Sequence, residues 1–192
     1  TITAVLAGST LSLAGLILQV IFRNPLAGPY VLGISSGASL MVAVTVLTGT
    51  SVGLFNNYFF GKSVIVLSSI AGSLLFTFLI LFLSKKVSSN VILLLIGLML
   101  LQICGAFQSA LEYFADPDNL KNFIMWGMGS LSETTYPDLF IYLPVALTCM
   151  CLLLIFIKPL NAFLLGQNYA NNSGINYAAN RFYLILISSV LT

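Results

Sequence analysis

Apolar residues fall in long runs along the chain, and polar residues gather in a few short interruptions between them. Reading between charges and turn signals predicts helices at about 2–22, 30–48, 63–84, 90–112 and 138–157, with a further one beginning near 180. Each complete run approaches the roughly twenty residues an α-helix needs to cross a hydrocarbon core of about 30 Å. Segments such as VSSNVILLLIGLMLLQICGAF do not alternate apolar with polar positions, as the strands of a transmembrane barrel would. The expected fold class is therefore all-α: a polytopic transmembrane helix bundle forming one domain over residues 1–192.

The interruptions differ in character. RNPLAGPYVLGISSGAS, residues 23–39, holds two prolines and three glycines between two spans. Pro25 and Pro29 disfavour helix in the residues before them and remove backbone donors, so the chain should turn a sharp corner at the surface. FADPDNLKNFIMWGMGSLSETTYPDL is too polar at both ends to span, and its centre carries an apolar helical stripe. A short interfacial helix is expected near 118–131, with Trp126 and Tyr136 near headgroup level. KPLNAFLLGQNYANNSGINYAANR is amphipathic and asparagine-rich, too polar to cross and too apolar for a plain linker. Two readings stand for it: a surface built to meet another protein, or a segment lying along the interface.

Alternating the loops collects Arg23, Lys85, Lys86, Lys158 and Arg181 on one side and only Lys62 and Lys121 on the other. The positive-inside tendency puts the first group in the cytoplasm. All five acids, Glu112, Asp116, Asp118, Glu133 and Asp138, then fall outside, though acids weigh little in that rule. Composition agrees with a membrane protein: 6% of residues are charged, against about a quarter in soluble domains. A net charge of +2, spread over single residues, gives no sign of a nucleic acid partner. The first residues begin as if already inside a helix and the last apolar stretch stops after about half a crossing, so the chain reads as a fragment.

Chemistry in the bilayer is not expected. The sequence has no GxxxxGK[ST] phosphate loop, no HExxH, no CxxC, no histidine and no carboxylate inside a predicted span. Cys104, Cys149 and Cys151 lie in apolar runs without the neighbours a metal site requires. No catalytic residue and no metal ligand is assigned. What remains is transport or scaffolding, and attention moves to the polar groups within spans. Gln102, Gly105 and Ser109 follow spacings of three and four and share one face of the fourth helix, with Gly97 roughly beside them and Gln108 well around it. Such a face can line a watery path, and it can equally be a close helix contact. The Gly33 and Gly37 pair has the GxxxG spacing that lets helices approach.

With AGSTLSLAGLILQVIFRN running into Asn24, Pro25, Leu26 and Ala27, followed by the Leu-Gly-x-Ser-x-Gly-Ala opening at Leu32–Ala38, the chain resembles a known family. It is similar to the FecCD-like permease subunits of ABC importers for iron-siderophores, haem and cobalamin. ADPDNLKNFIMWGMGSLS resembles the family's outer segment, and KPLNAFLLGQNYANNSGIN its cytoplasmic coupling region, in the family's order. One departure is that Gln167 and Asn168 stand where the family usually has a glutamate. The chain resembles the stretch from the family's second span into its seventh.

That resemblance implies a permease of the bacterial inner membrane that works as a homodimer or pseudo-dimer. Two cytoplasmic ATPase subunits, which carry the ATP and magnesium, and an extracytoplasmic binding protein would complete it, with no cofactor on this chain. It further implies that Gln102, Gly105 and Ser109 line the pathway, that Ser89 and Asn90 narrow its cytoplasmic end, and that Gly166, Ala170 and Gly174 belong to the ATPase docking region. Asn24, Pro25, Pro29, Gly33 and Gly37 are read as an architectural motif, whose small residues give the second helix a thin face for packing. The rivals are a secondary transporter or channel without an ATPase, and a nonfunctional truncated scaffold.

Overall fold

The computed structural model describes residues 1–49, 58–84, 90–129 and 136–192. Among them the chain forms nine helices and no strand. The long ones are α1 (Ile2–Phe22), α2 (Ile34–Gly49), α3 (Tyr58–Ser84), α4 (Asn90–Phe114), α6 (Tyr136–Ile155) and α9 (Tyr177–Leu191). Three shorter ones interrupt the series: α5 (Pro117–Met128), α7 (Ile157–Leu165) and α8 (Gln167–Asn172). The segments Ile2–Phe22, Ser63–Leu83 and Ile92–Phe114 are long and apolar enough to cross a membrane, while Ile34–Thr48 and Tyr177–Leu191 are shorter apolar helices. The protein is an all-α, multi-pass membrane bundle.

Helix boundaries follow local chemistry, and those of α2, α3, α4 and α6 depart from expectation. α2 starts at Ile34 rather than near 30, because Gly33 takes φ +76° and interrupts any helix begun at Tyr30. Turn bonds from Leu32 N–H to Gly28 O and from Ile34 N–H to Pro29 O, at 3.1 and 3.0 Å, serve the backbone there instead. α3 begins at Tyr58, ahead of the predicted position, since one lysine does not end a helix whose neighbours sustain it. α4 runs on to Phe114 and takes Glu112 into its last turn. The α6 axis breaks at Phe156, and α7 leaves at 57°. Pro159 explains the break: its ring would strike the carbonyl four residues back, which belongs to Ile155, the last residue of α6.

α5 is the predicted outer helix. Asp116 precedes it, Pro117 opens it and Asp118 sits in its first turn, all signals of a helix N-terminus. It buries Phe123 with Val42, Ala43, Val46 and Leu47, a satellite cluster between α5 and the far end of α2.

The main core joins the other elements. Ile17, Leu18 and Phe22 of α1, Leu93 and Leu94 of α4, Ala162 and Phe163 of α7, Ala170 of α8 and Leu184 of α9 bury into one cluster. Within it the Ser188 hydroxyl of α9 donates to the Ala14 carbonyl of α1 at 3.2 Å, both out of reach of water. α9 is entered through Asn176, whose Oδ1 accepts the Ala179 N–H at 3.0 Å. Asn176→Ala should therefore cost about 1 kcal/mol, read as a lower melting temperature in detergent.

Glycines set how closely the helices approach. A Cβ on Gly37 would run into the Phe76 ring of α3, and one on Gly72 would lie 2.8 Å from the Met41 Cβ and meet the Gly37 carbonyl. One on Gly97 would lie 2.7 Å from Val31 O and 2.8 Å from Leu32 Cα, so α4 packs directly on the turn before α2. In the same region Gln108 Nε2 donates to Ser39 Oγ at 2.8 Å, tying α4 to α2.

Candidate functional site

The corner after α1 is built by its own side chains. Arg23 ends α1 in the left-handed region, φ 50° and ψ 39°, and the Asn24 N–H returns to Gln19 O at 3.2 Å. Asn24 Oδ1 accepts the Leu26 N–H at 2.9 Å, forming an Asx turn ahead of Ala27. The Gln19 amide donates across the corner to Pro25 O at 3.1 Å. Proline leaves this segment short of donors, and the Gln19 amide supplies one from its side chain, while Asn24 Oδ1 provides an acceptor for the Leu26 N–H. Pro29 and Ala27 are buried while Leu26 stays 78% exposed, so the corner presents one apolar side chain outward.

α7 and α8 pack against this corner. The Arg23 guanidinium donates from Nη2 to Leu164 O at 2.8 Å and from Nε to Phe163 O at 3.3 Å, the last carbonyls of α7. Gly166, which follows, has φ +114°, and a Cβ there would lie 2.9 Å from Arg23 Nη2. Phe163 also packs on Tyr177 at the start of α9, ring centroids 4.4 Å apart, and the Arg181 guanidinium lies 5.8 Å from the Phe22 ring. Arg23, Lys158 and Arg181 thus mark one end of the bundle, and α7 and α8 are fastened to it.

The residues assigned to docking differ in placement. Gly166 and Ala170 face inward, Ala170 at 0% exposure, while Gly174 is exposed with φ +76° beyond α8. Exposed positions around them are Gln167, Asn168, Tyr169, Asn171 and Asn172. Ala170, assigned to docking through the resemblance, lies on the buried side of a short amphipathic helix, and the residues beside it are the ones turned outward.

The fourth helix keeps Gln102, Gly105 and Ser109 on a face that no described helix covers: Gln102 and Ser109 are exposed, and a Cβ on Gly105 would meet nothing within 4 Å. Gly97, read from sequence as lying beside them, instead packs on Val31 and Leu32. Ser89 lies outside the described residues, and Asn90 opens α4. A separate cavity of about 360 Å³ lies between α1, α3, α6 and α9, lined in part by Thr10, Ser69, Ser73 and Ser189. Those hydroxyls donate to carbonyls of their own helices, at 3.1, 2.8, 2.9 and 2.8 Å, which commits their O–H donors to the backbone and leaves their lone pairs as acceptors. No cluster of three or more metal-ligating side chains occurs among the described residues.

The sequence matches the FecCD transport family over residues 1–192. The chain belongs to the FecCD transport family. It is 33% identical to the hemin transport system permease protein HmuU of Yersinia pestis, covering 98% of this chain and 55% of that one. It is 35% identical to the vitamin B12 import system permease protein BtuC of Pectobacterium atrosepticum, over 99% of this chain and 55% of the relative. The molybdate import system permease protein MolB of Haemophilus influenzae is 32% identical over 99% of this chain and 54% of its own length. Among solved structures, a metal-chelate type ABC transporter in an inward-facing conformation superposes with a TM-score of 0.83 at 29% identity, over 98% of this chain and 58% of that one. The chain spans about half the length of the curated relatives it matches. As a member of this family it is a multi-pass protein of the cytoplasmic membrane, and its relatives are transport subunits.

Proposed function

We propose that this chain supplies the membrane-spanning part of an ABC importer, driven by ATPase subunits that dock on α7 and α8 from the cytoplasm. The observation that carries the reading is the α7 and α8 block: α7 leaves the last turn of α6 at 57° and α8 follows it, anchored by Phe163 and Ala170 in the core, with Gln167, Asn168, Asn171 and Asn172 of α8 outward beside the exposed apolar Ile157, Leu164 and Leu165 of α7. A surface that must receive force from a partner needs this combination of rigid seat and free face.

In this reading two copies enclose a central path, with Gln102, Gly105 and Ser109 of α4 on its wall and the Ser89 and Asn90 region at its cytoplasmic end. ATP and magnesium are bound by the two ATPase subunits, and an extracytoplasmic binding protein delivers the cargo. The cargo is a bulky metal compound, a ferric siderophore, haem or cobalamin; molybdate enters the set through the MolB relative. A lumen without fixed charge suits such solutes, since strong charges would hold the cargo instead of releasing it.

The test is ATPase activity of the complete gene product, co-expressed with its neighbouring ATPase in lipid nanodiscs. Binding protein loaded in turn with ferric siderophore, haem, cobalamin or molybdate should stimulate hydrolysis with one of them. Failure of the permease to hold any ATPase would remove the importer reading and leave a channel, secondary carrier or scaffold.

A further inference from the structure

Arg23 occupies a conformation that usually goes to glycine. At φ 50° and ψ 39° it holds the left-handed position just past the end of α1, where a side chain with Cβ is strained and glycine is not. Strain of this kind persists where the surrounding contacts determine it, and here the contacts are two hydrogen bonds to the end of another helix. Nη2 and Nε reach Leu164 O at 2.8 Å and Phe163 O at 3.3 Å, across 141 and 140 residues of chain. Both carbonyls lie in the last turn of α7, at the negative end of its dipole; Phe163 O also accepts the Gly166 N–H at 3.2 Å, and a guanidinium fork suits the pair in both charge and geometry. Gly166 leaves the space: a Cβ would stand 2.9 Å from Nη2.

Behind the guanidinium the contact continues without a gap. Ala162 and Phe163 of α7 share one buried cluster with Phe22, with Ala27 and Leu32 of the corner, and with Leu93 and Leu94 of α4. Gly97 of α4 lies against Val31 and Leu32 of the same corner, and the next turns of α4 carry Gln102, Gly105 and Ser109. A shift of α7 and α8 therefore meets a packed line of side chains ending at the helix proposed to line the path.

We infer that Arg23 is the positioning residue that couples α7 and α8 to the α1–α2 corner and, through the corner, to α4. This inference rests on the importer reading above. In mechanical terms, apolar packing resists compression of the line, and the Arg23 bonds resist its separation, so the corner follows α7 in both directions of a transport cycle. Arg23 itself touches neither cargo nor nucleotide.

The experiment uses the full-length transporter with its ATPase and loaded binding protein, reconstituted in proteoliposomes, and reads cargo moved per ATP hydrolysed. Arg23→Gly is the informative variant because it relieves the backbone strain while removing the clamp. A residue that merely caps a helix would lose nothing in cargo per ATP by this change. The expected result is normal membrane insertion and normal co-purification of the ATPase, with cargo per ATP reduced roughly fivefold or more. Arg23→Lys keeps one charged donor without the fork and should recover part of that loss. Cargo per ATP equal to wild type in Arg23→Gly would overturn the inference, and so would loss of ATPase binding, which would make Arg23 a docking residue. Should Arg23→Gly fail to insert, wild-type stoichiometry in Arg23→Lys overturns it instead. A wild-type protein that binds no ATPase would sink the importer reading, and this inference with it.

Discussion

Replacing Gly97 by leucine is expected to be the most damaging single change in the bundle, lowering stability by about 3 kcal/mol or more. The first added carbon already meets Val31 O at 2.7 Å and Leu32 Cα at 2.8 Å. Both are backbone atoms, so no rotamer change makes room. The corner is fixed as well, since Gly33 at φ +76° puts its own Cα opposite the Gly97 carbonyl, where a Cβ would lie 3.2 Å away. α4 would have to back off from α2, breaking the Gln108 to Ser39 bond and opening the core beside Leu93 and Leu94. Thermal unfolding in detergent, with Gly105→Leu as the matched control, gives the measurement. Gly105 has open space around it, so the control should melt with the wild type while narrowing the proposed path. Equal melting temperatures for Gly97→Leu and the control would contradict the packing of α4 on the corner.

The second large effect is expected in partner binding. Tyr169 stands 51% exposed on α8, directly before the fully buried Ala170, so its ring is presented outward by a helix that cannot roll. Exposed tyrosines on rigid seats are typical binding anchors, and truncating one costs about 2 kcal/mol, or roughly thirtyfold in affinity. Tyr169→Ala should therefore weaken ATPase binding by that factor in a titration against nanodisc-held permease. Stability should move by less than about 0.5 kcal/mol, because the removed ring lies largely outside the core. Affinity equal to wild type would place the docking face elsewhere. Replacing all of residues 160–176 would be a poorer test, since Phe163 and Ala170 belong to the main core and their removal would disturb folding.

Much of the architecture was legible from local pattern. α1 at Ile2–Phe22 lies where its apolar run predicts, and α5 at Pro117–Met128 overlaps the helix expected near 118–131 from its apolar stripe. Proline and glycine explain the exceptions. Gly33 delays α2 through a positive φ that a hydropathy reading does not register, and Pro159 ends α6 through a clash four residues upstream. The α7 and α8 segment left two readings open in sequence because amphipathicity marks a buried side without saying what buries it.

The candidate site was legible only in part. Placing Gln102, Gly105 and Ser109 on one face needs nothing beyond helical periodicity, and the structure leaves that face uncovered. Gly97 could be grouped with them in sequence, yet its contact is with Val31 and Leu32, more than sixty residues earlier in the chain. Arg23 gave the least signal of all. In sequence it is one basic residue at the end of a span, well explained as a topology marker, and nothing local points to Phe163 and Leu164.

The division has a physical cause. In a bilayer each spanning segment must satisfy its own backbone, so which segments form apolar helices follows from local composition, and this the sequence by itself determined. Which faces meet depends on fits between distant surfaces. The Gly37 and Gly72 crossing, the Gly97 seat and the Arg23 clamp each join residues with no local pattern in common. Only the tertiary structure decided them, because close approach and a shared guanidinium are properties of two surfaces together and of neither alone.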